Sequence, residues 1–194
     1  MRTRAGMNAA VFYATREGHT RRVALRITCD LRAKGVDVDV FDVADGPLVD
    51  WTKYSAACLA ASVHAGRYER EMIAFARDHR AELERLSAAF VSVTLTQTTA
   101  EDPSRTDAER LTAAAQVQET IEVFVRQTGW RPAHVFPVAG ALCYSKYNIF
   151  VRLIMKQIAR KNGVPTDTSR DYEFTDWPAL DRFVEGFIAG RMPT

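Results

Sequence analysis

VFYATREGHT, residues Val11–Thr20, runs straight into the helical pattern Arg21–Lys34. An apolar run ends in the turn Thr15-Arg16-Glu17-Gly18-His19-Thr20, and a helix follows without proline or linker. The first amides of a helix lack intrahelical acceptors and sit at the positive end of its dipole. A buried strand, a hydroxyl-and-glycine turn and a helix N-terminus in that order therefore cradle an anion. The turn has neither the Lys-Ser/Thr ending of a nucleoside-triphosphate loop nor the three-glycine spacing of a dinucleotide fingerprint. An ordinary strand-to-helix turn capped by Thr15 or Thr20 carries the same letters.

Outward from this stretch, strand patterns at Asn8–Ala14, Val36–Val43, Ala56–Ser62, Ala88–Leu95 and Ala133–Ala139 alternate with helix patterns. The helices are expected at Arg21–Lys34, Tyr68–Leu86, Arg105–Thr128 and Asp176–Gly190. The first strand is apolar on both faces, as a central strand is, whereas Val36, Val38 and Val40 alternate with Asp37 and Asp39. Val23, Ile27 and Leu31 recur four apart, and Gly35 stands where a helix ends. Trp177, between the N-cap Asp176 and Pro178, is placed to pin the last helix to the sheet. The alternation predicts an α/β doubly wound parallel sheet with helices on both faces. Ligands of such sheets bind beyond the carboxyl ends of the strands, so Thr15–Thr20, Ser62–Tyr68 and Thr94–Thr98 are expected to converge.

A length of 194 residues suits one domain spanning 1–194, with residues 1–7 as a flexible N-terminal extension. A net charge of +2 gives no reason to expect a nucleic-acid partner. Cys29, Cys58 and Cys143 show no metal-ligand spacing; Cys29 and Cys58 read as buried small hydrophobes. An odd cysteine count without a signal peptide suits a reducing cytoplasm. No stretch approaches the roughly 20 apolar residues that a membrane-spanning helix requires. The segment 144–172 stands apart. In Tyr144–Lys161, Ile149, Phe150, Leu153, Ile154 and Ile158 form an apolar helical face, while Lys146, Arg152, Lys156, Arg160 and Lys161 add five cations and no acid. Such a helix can lie on an anionic membrane, with Tyr144 and Tyr147 at the interface. It can equally be a crossover helix with its charges in water.

The strings YATREGHTRRVA, AASVHAGRY, FVSVTLTQ, GWRP, AGAL, RLIMK and TDTSRDYEFTDW, in order from Val11 to Phe187, resemble the flavodoxin-type, quinone-linked protoporphyrinogen oxidases of bacteria. RLIMK followed by TDT and TDW carries most of the specificity. The resemblance implies a flavodoxin-like five-stranded sheet of order 2-1-3-4-5 and bound FMN. It also implies oxidation of protoporphyrinogen IX to protoporphyrin IX, with electrons passed to a respiratory quinone (menaquinone or ubiquinone). Carried over by position, Thr15, Arg16, Glu17, Gly18, His19 and Thr20 surround the FMN phosphate. Ser62, Val63, His64, Ala65, Gly66 and Arg67 form one loop beside the flavin ring, and Thr94, Leu95, Thr96 and Gln97 form the other. Neither ring loop contains tryptophan, which leaves room for a substrate. Related chains are more often basic at the position of His64, and basic where this chain carries Glu101, Asp102 and Asp107.

Aromatising a porphyrinogen removes hydrogens in three two-electron rounds, and only a cofactor such as a flavin accepts electrons in pairs. Gly66 permits close backbone approach to the ring. Proton removal falls to solvent, to the flavin or to His64 as catalytic base. Arg131, Arg152 or Lys156 is placed to hold propionates by charge. The resulting expectation is a cytoplasmic FMN oxidoreductase, peripheral on the inner face of the membrane. A flavodoxin-like electron carrier, another quinone-linked oxidoreductase and a scaffold that has lost FMN are the other readings; intact Thr15 and Thr20 count against the last.

Overall fold

Six of the seven residues of Asn8–Ala14 are buried, because this strand has neighbours on both edges and helices on both faces. The structure, a computed structural model, describes residues 7–147, 149–161 and 166–190. Its elements begin with β1 (Asn8–Ala14), α1 (His19–Ala33), β2 (Asp37–Asp42), β3 (Ala56–His64), β4 (Arg67–Tyr68), α2 (Arg70–Asp78) and α3 (Arg80–Arg85). They continue with β5 (Ser87–Thr94), α4 (Thr96–Glu101), α5 (Asp107–Thr128), β6 (His134–Ala139), β7 (Ala141–Leu142), α6 (Ile149–Lys161), β8 (Tyr172–Glu173) and α7 (Trp177–Ala189).

The five long strands are parallel in the order β2-β1-β3-β5-β6, which is the expected 2-1-3-4-5 counted over those strands. Strand alternation divides the core. Val11, Cys58, Ala60 and Val91 face α1 and α7 through Val23, Ile27, Leu31, Leu180 and Phe183. Phe12, Leu59 and Phe90 face α2, α3 and α5 through Met72, Phe75, Leu83, Phe124 and Trp130. On the second face Phe90 and Phe124 stack at 4.3 Å, and Trp130 meets Phe124 edge-on at 6.3 Å. Trp130 is therefore a packing residue.

Several expectations need correction. The helix expected over Tyr68–Leu86 is two helices, broken at His79, whose ring packs on Trp51 at 5.1 Å and Phe75 at 4.7 Å. Cys29 is exposed, on the solvent side of α1, while Cys58 is buried and its thiol is pushed up to about 12 by desolvation. Residues 1–6 of the expected extension lie outside the described residues, and Met7 is tied in, accepting the Asp37 amide at 3.2 Å. The stretch after Thr94 forms the short helix α4 rather than a loop. Trp177 packs on the core as expected, with the Asp176 carboxylate capping α7 through the Ala179 amide at 2.9 Å.

Register sets the functional edge. Ala14 pairs with Ala61, Ser62 with Val93, and Thr94 with Ala139, so β1, β3, β5 and β6 end at one level. Beyond that level β3 continues through Val63 and His64 and folds back as β4.

Candidate active site

The turns after β1, β3, β5 and β6 meet at this edge around a small cleft. Thr15, Glu17, His19 and Thr20 line one wall; Ser62, Val63 and His64 a second; Val93, Thr94 and Leu95 a third. Gly140, Ala141, Cys143, Tyr147 and Met155 close it from the chain after β6.

The wall at α1 starts with Gly18, whose φ of 89° suits glycine and directs the chain into the helix. Its amide donates to Thr15 Oγ1 at 2.9 Å, so Thr15 holds the turn together. The first helical bond runs from the Arg22 amide to the Gly18 carbonyl, leaving the amides of His19, Thr20 and Arg21 without intrahelical acceptors. Thr20 is 1% exposed, and its Oγ1 has no hydrogen-bond partner among the described residues. A buried hydroxyl left unpaired costs stability unless a ligand completes it. Lys146 reaches across from the far wall, with its Nζ donating to the Glu17 carbonyl and lying 3.3 Å from where a Gly18 Cβ would be. Positive charge thus stands over the turn from a segment more than a hundred residues away.

His19 is buried beside this wall. Thr175 donates its hydroxyl to the Ala139 carbonyl at 2.7 Å, so the 2.8 Å contact between His19 Nε2 and Thr175 Oγ1 requires the proton on Nε2. Nδ1 then carries a bare lone pair, and it has no partner among the described residues. Desolvation lowers the His19 pKa below its ordinary value, ahead of the opposing charge of Glu173 and the like charge of Arg22. The ring is the neutral Nε2–H tautomer at neutral pH.

The second wall is a two-residue β-hairpin. Val63 pairs with Tyr68 and His64 with Arg67, and Ala65 (φ 50°) and Gly66 (φ 75°) are both left-handed, as a turn matching strand twist demands. Ala65 is the single non-glycine residue with positive φ among the described residues, so local strain is placed beside the cleft. Behind the hairpin, Glu69 is 4% exposed. Its Oε1 accepts from the Ser62 hydroxyl and lies 3.4 Å from His64 Nε2, which also lies 3.3 Å from Glu17 Oε2. Tyr68, two residues from the turn, is turned inward: its hydroxyl meets Ser92 Oγ at 2.7 Å and its ring packs on Phe90 and Phe124. It closes the core rather than the cleft.

On the third wall Thr94 Oγ1 accepts from the Thr96 amide at 3.2 Å, and Gln97 points along α4 to Glu101 at 2.9 Å. At the fourth wall, burial pushes the Cys143 thiol above its ordinary range, so it is a neutral thiol rather than a thiolate.

A family model for the flavodoxin domain matches residues 10–169. The chain is 31% identical over 180 residues to the protoporphyrinogen IX dehydrogenase (quinone) of Leishmania major, covering 92% of this chain and 74% of that one. The chain belongs to the flavodoxin family, in its protoporphyrinogen IX dehydrogenase branch. It is also 28% identical over 177 residues to the protein of the same name from Escherichia coli K12, covering 91% of this chain and 92% of that one. Oxidised flavodoxin 1 from Bacillus cereus superposes with a TM-score of 0.53 at 16% identity, over 95% of this chain and 99% of its own. A short-chain flavodoxin associated with a PDU bacterial microcompartment gives 0.52 at 14%, over 96% and 99%. These two likenesses establish the fold.

Within this flavodoxin frame, the three expected loops do converge. Thr15, Glu17, His19, Thr20, Ser62, Val63, His64, Thr94 and Leu95 line the cleft, while Arg16, Gly18, Ala65, Gly66, Arg67, Thr96 and Gln97 lie in the same turns without lining it. Arg131 is not brought there. It follows α5 at the amino end of β6, the opposite edge of the sheet, and pairs bidentately with Glu122 at 3.1 Å. Tyr144 is fully buried and Tyr147 nearly so, which excludes them from an exposed interface belt. Arg152 donates to the carbonyls of Tyr144 (3.0 Å) and Tyr147 (3.5 Å) and braces that cluster. Lys156 is half-buried on α6. The side chains of Ile149, Phe150, Ile154, Ile158 and Lys161 lie outside the described residues; Leu153 is 60% exposed.

Sequence reading missed Glu69, the place of Lys146 over the first turn and the wall at Gly140 and Ala141. Glu69 had one usable signal, a carboxylate set between Tyr68 and Met72 at a helix start. The fourth wall depends on β7 pairing with β8 some thirty residues later, a two-residue ribbon with no local signature.

Proposed function

We propose that this chain binds FMN in the cleft and oxidises protoporphyrinogen IX to protoporphyrin IX, passing the electrons to a respiratory quinone, menaquinone or ubiquinone. The cofactor assignment is carried by the buried Thr20 hydroxyl, unpartnered among the described residues, beside three amides at the start of α1 that lack intrahelical acceptors. A phosphate monoester is an anion with several acceptor oxygens, so it matches this donor set, and a bulkier residue than glycine at 18 would crowd Lys146. The substrate and acceptor assignments rest on the two relatives of that name, matched over nearly the whole chain.

When bound, FMN supplies the two-electron acceptor that no side chain can provide. The chain supplies the rest. The Thr20 hydroxyl and the α1 amides anchor the phosphate, with Lys146 adding charge. The Ala65–Gly66 turn and Thr94–Leu95 would flank the ring, and Val63, Leu95 and Met155 present apolar surface that excludes water. His64 stands on the second wall with Glu17 and Glu69 against its ring. α6, with Leu153 exposed and Lys156 and Arg160 beside it, is the contact with an anionic membrane where a lipid-soluble quinone is available. Among the described residues no helix is long and apolar enough to cross a membrane.

The test is titration of the FMN-free protein with FMN and with riboflavin, followed by anaerobic turnover of protoporphyrinogen IX with a quinone analogue. Tight FMN binding that riboflavin does not match supports the phosphate cradle, and porphyrin formation supports the assigned reaction. Equal affinity for the two flavins contradicts the first, and absence of porphyrin contradicts the second.

A further inference from the structure

We infer that His64 is the catalytic proton acceptor of the cleft, and that Glu69 is a positioning residue that holds it in the tautomer the step requires. The inference rests on the function proposed above and adds the route of the proton.

Three oxygen atoms surround one ring nitrogen. His64 Nε2 lies 3.1 Å from Ser62 Oγ, 3.3 Å from Glu17 Oε2 and 3.4 Å from Glu69 Oε1. The Ser62 hydroxyl hydrogen is already committed to Glu69 Oε1, so Ser62 Oγ can only accept from the imidazole. Every contact of Nε2 is then with an acceptor, and Nε2 carries the proton. The lone pair of the neutral ring is left on Nδ1. An orienting carboxylate behind an imidazole fixes which nitrogen can act as base.

Glu69 is unusual for a structural residue. It sits at the start of α2 and is 4% exposed, yet among the described residues no lysine or arginine forms an ion pair with it and its Oε2 has no hydrogen-bond partner. Burying a carboxylate so incompletely paired is costly. Such a residue directly behind a cleft wall points to a functional demand. Glu17 comes to the same nitrogen from the β1–α1 turn, and Arg67 faces His64 across the hairpin register.

The chemistry needs such a group. Of the three rounds, one takes two methylene hydrogens, one with the electron pair and one as a proton. In each of the other two the porphyrinogen gives up two electrons with one hydrogen from a methylene bridge, to the flavin acceptor assigned above, and one proton from a pyrrole N–H. The N–H bond breaks, its electron pair stays in the macrocycle, and the proton joins the Nδ1 lone pair of His64. The resulting imidazolium faces Glu17 and Glu69 through Nε2–H, so its charge is balanced where it forms.

The experiment uses FMN-loaded protein with 15N-labelled histidine. Wild-type protein should show His64 as the Nε2–H tautomer, and Glu69→Gln should lose that preference while flavin content is retained. Anaerobic turnover of His64→Ala should fall about 100-fold or more, and added imidazole should restore part of it, which no structural role of His64 explains. Glu69→Gln turnover should fall at least about tenfold, in line with lost support of a catalytic group. An Nδ1–H tautomer in the wild type, or a flavin-loaded His64→Ala variant turning over within threefold of wild type, overturns the inference. Wild-type protein that makes no porphyrin overturns the underlying function instead, and the tautomer spectrum still decides the arrangement of His64 and Glu69 on its own.

Discussion

Replacing Thr20 by valine should make the FMN-free protein more stable and the FMN complex weaker. Thr20 Oγ1 is buried without a partner among the described residues, at a residue 1% exposed. An unsatisfied buried hydroxyl costs about 1–3 kcal/mol, and valine keeps the β-branched shape and a similar helix propensity while removing it. The cofactor-free variant should therefore gain about 1–2 kcal/mol. For a chain of this length each kcal/mol raises Tm by about 2–4 °C. A hydrogen bond to a charged group is worth about 1.5–3 kcal/mol, so FMN affinity should fall about 10- to 150-fold. Riboflavin, which lacks the phosphate, should bind both proteins alike. Thr15→Val gives the contrast: its Oγ1 accepts the Gly18 amide, so that variant should lose about 1 kcal/mol without cofactor. Thermal unfolding and fluorescence titration with the two flavins read these quantities. A Thr20→Val protein that is less stable without cofactor, or binds FMN as wild type does, rules out an unsatisfied Thr20 hydroxyl that waits for the phosphate.

Stability should also depend on His19. Its folded-state pKa is lowered from 6.5, mainly by burial, so the unfolded chain binds the proton more readily. Stability then falls as pH drops below 6.5 and levels off below the folded value; urea unfolding of His19→Gln from pH 7.5 to 5 should show a shallower loss than wild type. Gly18→Ala forces alanine to φ 89° and places its Cβ 3.3 Å from Lys146 Nζ, so it should cost about 1–2 kcal/mol and weaken FMN binding, by unfolding and flavin titration. On α6, Lys156→Glu with Arg160→Glu should reduce recovery on anionic vesicles with flavin content intact. Arg152→Gln should instead lower Tm, because Arg152 braces the Tyr144 and Tyr147 carbonyls; unchanged vesicle binding in the double variant counts against membrane contact.

The sheet was legible because its signals are local. Asn8–Ala14 is apolar throughout and Val23, Ile27 and Leu31 repeat at helical spacing, so β1 and α1 could be read directly, and with them the turn that builds the first wall. What failed lacked a local signature. The break at His79 has no glycine or proline; it is set by packing on Trp51, from a distant turn. Thr96–Glu101 reads as a loop because threonines rarely favour a helix, yet Thr94 Oγ1 and the Leu95 carbonyl take the first free amides and start one. Arg131 offers a propionate its charge, but the end of α5 lies at the edge opposite the cleft, which no local pattern shows. Lys146 and Glu69 became visible once tertiary contacts brought them to Glu17 and His64.

Anaerobic oxidation of protoporphyrinogen IX by the FMN-loaded protein with a soluble menaquinone analogue, followed by porphyrin fluorescence, decides whether this cleft oxidises a porphyrinogen. Porphyrin should form only when protein, FMN and quinone are all present, and membranes are not required. FMN-loaded protein that forms no porphyrin above the protein-free control would contradict this activity and leave an electron carrier built on the same fold.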